Sequence, residues 1–363
     1  MVQPINIKSL IRQHLAEIEI YDSVESPEDL ALKAGIPKDE IIKLNGNENP
    51  YGGSPKAIEA VANSDFHIYP DPGQKEMRKS LSQYTGADPD EIVVGAGADE
   101  LIDLIFRLFL SPGEKILDCE PTFGMYSFCA RIAGGSVSYV QRDDRFEIDV
   151  KAVRNAVDSS TKIIFVTSPN NPTGNLASKE QIVEILRMGL LVVVDEAYYE
   201  FSGQTVQGLV KDHQNLIVLR TMSKWAGLAG LRVGYGITNP VIANHLMDIK
   251  PPYNVNVAAE SALIASLGDA EYLLSNVEKI KSERERLYGI LKNIVGVDPW
   301  PSQGNYILCE FENNQALRIY NELASRGIFV RNFKSDRLIN CFRIAIGKPE
   351  DSDAFVKVIS EIL

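Results

Sequence analysis

The sequence predicts an α/β fold: a large domain built on a mostly parallel sheet covered by helices, followed by a smaller α+β domain. Three observations carry this. Short apolar runs rich in β-branched residues recur with little polar alternation, at EIVVGAG, KILDCEP, KIIFVTS, LLVVVDE and LIVLRTM, as expected of strands buried on both faces. Helical stretches separate the early ones, ADELIDLIFRLFL, GMYSFCARIAG and SKEQIVEILRMG, giving the alternation of a sheet wound with crossover helices. The chain has 363 residues, more than one hydrophobic core usually organises.

Residues 1–44 form an N-terminal segment expected to pack on the small domain. Residues 45–250 carry the alternating pattern of the large domain. Residues 251–363 open with a long charged helical stretch, EYLLSNVEKIKSERERLYGILKNI, then mix shorter elements: NYILCEF, QALRIYNELASRG, IFVRNF and INCFRIAIG. They are read as an interdomain helix and a small α+β domain.

Composition excludes several roles. The net charge is −12, from 37 basic against 49 acidic residues, which disfavours nucleic acid and anionic membranes as main partners. The four cysteines, Cys119, Cys129, Cys309 and Cys341, form no CxxC pair and sit in or beside apolar stretches. They read as reduced thiols of a cytoplasmic protein. The four histidines have no metal-ligand spacing. The N-terminus lacks the apolar region of a signal peptide, and no apolar run is long enough to span a bilayer.

In open α/β sheets ligands bind beyond the carboxyl ends of the strands, so the residues just past each buried run are informative. After IVV comes GAGADE. Its glycines permit a tight turn, and a helix starting at Ala98, Asp99 and Glu100 offers free N–H groups to an anion. The third glycine of a dinucleotide fingerprint is missing, and a simple acid-capped helix fits this stretch equally well. After KILDCEP stands Phe123, which alone reads as core but would stack on a flat ligand lying nearby. After KIIFVTS comes PNNPTGN, a turn composition that also places Asn171 at a strand end. After LLVVV comes DEAYYEF. Asp195 caps a helix, or it answers a buried cation, because a buried carboxylate is costly unless paired; Tyr198 stands three residues later. After LIVLR comes TMSKWAGLAGLR. Ser223 offers a hydroxyl, Arg232 a cation suited to phosphate, and Lys224 an amine. In an apolar, cation-rich site that amine has a lowered pKa and attacks carbonyls.

Each feature has a plain structural explanation. Together they describe one ligand: a phosphate, an aromatic ring, a ring nitrogen facing Asp195, a phenolic oxygen near Asn171 and Tyr198, and an aldehyde at Lys224. That ligand is pyridoxal 5'-phosphate.

The stretches LNGNENPYG, YPDPGQKEMRKSLSQYTG, GAGADELID, PTFGMYS, SPNNPTGN, DEAYYEF, TMSKWAGLAGLRVGYG, PPYNVNVAAE, GNYILCEF, GIFVRNF and FRIAIG run in family order over most of the chain. In them the sequence resembles the fold-type I pyridoxal-phosphate-dependent aminotransferases, and among these the histidinol-phosphate branch. The resemblance implies a large domain on a mostly parallel, seven-stranded-type sheet and a homodimer with shared sites. It implies that Lys224 carries the cofactor, that Asp195 pairs with the ring nitrogen, and that Asn171 and Tyr198 bind the ring oxygen. Ala98, Asp99, Ser223 and Arg232 would hold the phosphate, with Tyr69 reaching the cofactor of the other subunit. Arg343 would clamp the α-carboxylate of glutamate, Arg331 the phosphate or distal carboxylate of the substrate, and Tyr21 would lie over the substrate. Phe123 stands where tyrosine is common, and EIEIYDSVES around Tyr21 departs from the family's usual PYxPG-like stretch. The implied reaction interconverts histidinol phosphate and 2-oxoglutarate with imidazole acetol phosphate and glutamate, in histidine biosynthesis. Two other activities of this scaffold stay open: an aromatic amino acid aminotransferase, and a decarboxylase of a phosphorylated amino acid, whose stretch after the lysine usually departs from the AGLAGLR kept here.

Overall fold

The computed structural model describes residues 6–363. Among the described residues twelve strands form two sheets. They are β1 (Ile42–Leu44), β2 (Ile92–Gly95), β3 (Lys115–Glu120), β4 (Ser136–Gln141), β5 (Thr161–Thr167), β6 (Leu191–Asp195), β7 (Leu216–Thr221), β8 (Gly234–Thr238), β9 (Val297–Pro299), β10 (Tyr306–Phe311), β11 (Ile328–Asn332) and β12 (Cys341–Ala345). The seven-stranded sheet has the order β2-β8-β7-β6-β5-β3-β4. Its strands are parallel except β8, which runs antiparallel to both its neighbours.

The apolar runs behave as their composition demands. Along the central strands, successive residues enter two different cores. Ile164, Val166, Val192, Val194 and Val218 pack on one face, and Ile163, Phe165, Val193, Ile217 and Leu219 on the other. Strands with no solvent face show no polar alternation. The edge strand β4, SVSYVQ, keeps partly exposed residues, so patterning does not single it out. Nor does it single out β8, GYGIT, where glycines dilute the signal.

The second sheet has the order β1-β11-β12-β10-β9. Four of its strands come from the C-terminal part of the chain, and β1, at the end of the N-terminal segment, adds parallel to β11. The stretch before β1 also touches the large sheet's helices: His14 Nε2 lies 3.2 Å from the carbonyl of Ile132, and the Tyr21 ring lies 6.0 Å from that of Phe128. The long helix Ala270–Leu291 buries Leu273, Val277, Ile280, Leu287 and Leu291 along one stripe, the spacing of a helix with a single buried face.

All four cysteines are free and buried. Among the described residues no cluster suits a metal ion, and no helix is long and apolar enough to cross a membrane.

Candidate active site

A cavity of about 210 Å³ opens at the carboxyl ends of β5, β6 and β7. Thr167, Asp195 and Thr221 end these three strands and line it. Groups just beyond the strands join them: Asn171, Tyr198, Ser223 and Lys224. Strand β2 runs parallel to β7 with β8 between them, so the helix Ala98–Phe109 after β2 starts at the same edge and brings Ala98 and Asp99. Strand β8 runs the other way, so its amino end lies there too, and Arg232, two residues before it, reaches the cavity. Phe123 closes one side. From the small sheet and the N-terminal segment come Arg331, Arg343 and Tyr21.

The close approach of the helix start to β8 requires glycine. A Cβ on Gly234 would lie 2.3 Å from the amide nitrogen of Ala98. On Gly97, whose φ is +82°, a Cβ would lie 2.4 Å from the Arg232 guanidinium. Gly234→Ala is therefore expected to push the helix start off the sheet. It should cost about 1–3 kcal/mol of stability, read by denaturant unfolding, and weaken phosphate-dependent cofactor binding as well.

The electrostatics are unusual for a surface cleft. Lys224 is half-buried, its amine donating to the carbonyl of Gly46 at 3.0 Å. Burial, then the charge of Arg343, brings its pKa down to about 8. Asp195 is 4% exposed and, among the described residues, has no cationic partner. Its oxygens accept from Tyr126 Oη at 2.6 Å and from the amide of Ala197 at 2.9 Å. Burial pushes its pKa up to about 6 despite these bonds. Burial likewise raises Tyr198 to about 12. Arg331 and Arg343 face each other as register partners on β11 and β12. Like charges directly opposite in a sheet are destabilising, and among the described residues no carboxylate pairs with Arg343, while Arg331 has Asp22 at 3.8 Å. Arg343 donates to Asn171 Oδ1 at 2.5 Å and to the carbonyl of Asn45 at 2.7 Å, while its buried Nε has no partner. A pair built this way suits an anion.

The residues fit the ligand read from the sequence. The buried carboxylate of Asp195 lacks the cation that a protonated ring nitrogen would supply. The helix start at Ala98 and Asp99 shares one corner of the cavity with Ser223 and Arg232, where the guanidinium lies 3.4 Å from Ser223 Oγ and 2.7 Å from the Asp99 carboxylate. Asn171 spends its side-chain oxygen on Arg343, which leaves its amide nitrogen to donate to a ring oxygen beside Tyr198.

Two expected residues do not line the cavity. Glu100 turns back on its own turn, accepting from the amide of Ala96 at 2.6 Å and from Asn254 at 2.7 Å. Its carboxylate thus holds the glycine turn, which leaves the expectation for the N–H groups of the helix start as it was. Tyr69 is 77% exposed and stacked on Tyr253 with ring centroids 4.4 Å apart, outside this chain's own site.

Sequence reasoning missed several groups. Asn47 donates to Tyr198 Oη at 3.0 Å, and Gly46 and Thr167 line the cavity. The stretch LNGNENPYG stands out in the sequence only as a motif. The most consequential omission is Tyr126, fully buried in the helix Met125–Ala133, which bonds both Asp195 and Thr167. Nothing in GMYSFCARIAG distinguishes it from a core aromatic, and only its partner makes it functional. Tyr126→Phe removes the donor that holds the Asp195 carboxylate ionised. The expected result is a further rise in the Asp195 pKa and a loss of cofactor affinity of about tenfold, measured by fluorescence titration with pyridoxal phosphate.

Comparison with known proteins agrees with this geometry. The family profile for aminotransferase class I and II matches residues 39–359. A histidinol-phosphate aminotransferase of Dehalococcoides mccartyi is 45% identical over 98% of this chain and 99% of its own. Histidinol-phosphate aminotransferase 1, chloroplastic, of Arabidopsis thaliana is 44% identical over 97% of this chain and 86% of its own. The crystal structure of histidinol-phosphate aminotransferase from Sinorhizobium meliloti, in complex with pyridoxal-5'-phosphate, superposes with a TM-score of 0.89 at 26% identity, covering 98% of this chain and 99% of that one. The chain therefore belongs to the class I and II aminotransferases and, within them, to the histidinol-phosphate aminotransferase family.

Proposed function

We propose that this protein is a pyridoxal-phosphate-dependent aminotransferase. It interconverts histidinol phosphate and 2-oxoglutarate with imidazole acetol phosphate and glutamate, a step of histidine biosynthesis. The observation that supports it most is the meeting of Lys224, Asp195 and the opposed pair Arg331 and Arg343 in one cavity. The bound cofactor supplies an aldehyde that accepts the substrate's amino group and a ring that delocalises the electrons left behind.

The chain's own residues do the rest. Ala98, Asp99, Ser223 and Arg232 hold the phosphate, and Asp195 keeps a proton on the ring nitrogen. Asn171 and Tyr198 bind the ring oxygen, and Phe123 stacks on the ring. Lys224 fixes the cofactor at rest and, as a base poised near neutrality, takes the proton from the substrate's α-carbon. Arg343 clamps the α-carboxylate of glutamate, Arg331 holds the phosphate or the distal carboxylate, and Tyr21 covers the bound substrate. Together the arginines let one site serve two anionic substrates in turn.

The chain acts as a homodimer in the cytoplasm on this reading. Tyr69 and Tyr253 are exposed beside Phe66 and Ile68, which are 64% and 57% exposed, an apolar surface that a second copy would cover. Tyr69 then reaches the cofactor phosphate of that copy.

The test is the near-ultraviolet and visible absorbance of purified protein, before and after histidinol phosphate is added without keto acid. A visible band that disappears on addition supports both cofactor and amine donor. A band that responds only to phenylalanine or tyrosine would move the substrate to the aromatic amino acids. Absence of any band after incubation with pyridoxal phosphate would overturn the reading.

A further inference from the structure

The opposed arginines raise a question of balance: what neutralises them before a substrate arrives? Among the described residues, one carboxylate lies in ion-pair range of either. Asp22 Oδ2 is 3.8 Å from Arg331 Nη2 and also 3.8 Å from Lys334 Nζ. The same Arg331 nitrogen donates to the Asp22 carbonyl. Asp22 thus sits between two cations, one lining the cavity and one three residues further along the chain.

Its setting makes it movable. Among the described residues, residues 19–25 form no main-chain to main-chain hydrogen bond and belong to no helix or strand. The segment is held by the Arg331 contact, by the ion pair of Glu25 with Lys33, and by the Tyr21 ring, which lies 6.3 Å from Phe123 and 6.0 Å from Phe128. Tyr21 and Val24 both line the cavity. Asp22 and Lys334 are themselves exposed, with side-chain exposures of 64% and 88%.

We infer that Asp22 is a resident anion at the rim of the substrate site, outside the cavity lining, and that Lys334, on a neighbouring cleft with Arg337, offers a second cation to the phosphate of the substrate. This rests on the proposed function, in which that phosphate goes to Arg331. A phosphate carries close to two negative charges near neutral pH and competes with the Asp22 carboxylate for both cations. When it binds, Asp22 yields Arg331 and Lys334 to it, and the strap bearing Tyr21 is free to settle over the new anion. A carboxylate substrate has half the charge and displaces Asp22 less readily. Asp22 and Lys334 therefore set the preference between phosphorylated and unphosphorylated substrates without touching the reacting atoms.

The experiment uses the holoenzyme and compares kcat/KM for histidinol phosphate with that for histidinol, together with inhibition by inorganic phosphate. For Asp22→Asn the expected result is a rise of about two- to fivefold in the ratio and a matching fall in the phosphate inhibition constant, the size appropriate to an exposed charge pair. For Lys334→Gln both should move the opposite way by a similar factor. Both shifts should shrink at high ionic strength, because exposed charges are screened. Equal changes for the two amines, or phosphate inhibition unmoved in both variants, would overturn the proposal. Arg331→Ala separates it from the reading beneath it. If that variant keeps the wild-type preference for histidinol phosphate, the phosphate does not sit at Arg331 and the parent reading fails. If the preference collapses while Asp22→Asn and Lys334→Gln leave it in place, only the present inference fails.

Discussion

Lys224→Ala should abolish transamination, lowering turnover by about 10⁴-fold, because on the proposed reading it removes both the cofactor's attachment point and the base at the substrate's α-carbon. The variant should remain folded. The side chain makes one hydrogen bond, to the Gly46 carbonyl, and burying its charge opposes folding. It should still bind pyridoxal phosphate, through the phosphate corner and Asp195, while losing the visible absorbance that depends on the lysine. Retained turnover would remove Lys224 from the mechanism. The wild-type amine gives a related pH signature. Its folded pKa, about 8, lies below the ordinary 10.5. Between these values the unfolded chain binds more protons than the folded one, so the cofactor-free protein should gain stability as pH rises through that window. Reconstitution with cofactor should also speed up as pH passes about 8, where the free amine becomes the major form. A pH-independent rate across that range would contradict a desolvated, cation-flanked Lys224.

Asp195→Asn should produce two opposite effects. Activity should fall by about 10²-fold or more, since an uncharged amide cannot keep the ring nitrogen protonated. The cofactor-free protein should at the same time become more stable near neutral pH. The folded pKa of Asp195, about 6, exceeds the ordinary 3.8, so the folded state binds more protons between these values. Stability falls as pH rises through that interval, and above it the buried charge costs about 3 kcal/mol. Asparagine removes the charge yet can accept from Ala197 and donate to Tyr126. The comparison to make is denaturant unfolding of both proteins, with and without cofactor, at a pH above 7. The variant should lead without cofactor, and the wild type should gain far more when cofactor is added. A variant less stable than wild type in both conditions would mean that Asp195 is chiefly structural. The pattern is that of a site which holds strain until its ligand arrives.

Much of this arrangement is legible in the chain. The central strands announce themselves because both their faces are buried, and the polar residues behind them mark the sheet edge where ligands bind. Asp195, Lys224, Asn171 and Ser223 are found by that rule alone. What escapes is whatever depends on direction or on partners. Strand β8 carries two glycines and runs backward, so patterning does not show why Arg232, read in the sequence as a cation for phosphate, arrives at the same edge as Lys224. Tyr126 looks like any core aromatic until its hydroxyl meets Asp195. Glu100 counts in the sequence only as part of a helix start that offers N–H groups, and nothing there shows that its carboxylate accepts from the amide of Ala96 and the side chain of Asn254. Arg331 and Arg343 lie twelve positions apart, and only antiparallel pairing sets them opposite one another.

The reversed strand also sets a distance. Lys224 and Arg232 lie on one excursion of chain that leaves the sheet after β7 and re-enters at β8. The amide of Met222 donates to the carbonyl of Val233 at 3.0 Å, and the amide of Leu228 to the carbonyl of Met222 at 3.1 Å. The loop is thus stapled at its base and again part-way along, with Trp225 fully buried inside it. It works as a ruler. On the proposed reading, the span from the amine that takes the aldehyde to the guanidinium that takes the phosphate lies within this one closed loop, and its two ends are steadied from outside it by the Gly46 carbonyl and the Asp99 carboxylate. A residue inserted or deleted between positions 224 and 232 would change that span and spoil the match to a rigid ligand, even where the protein still folds.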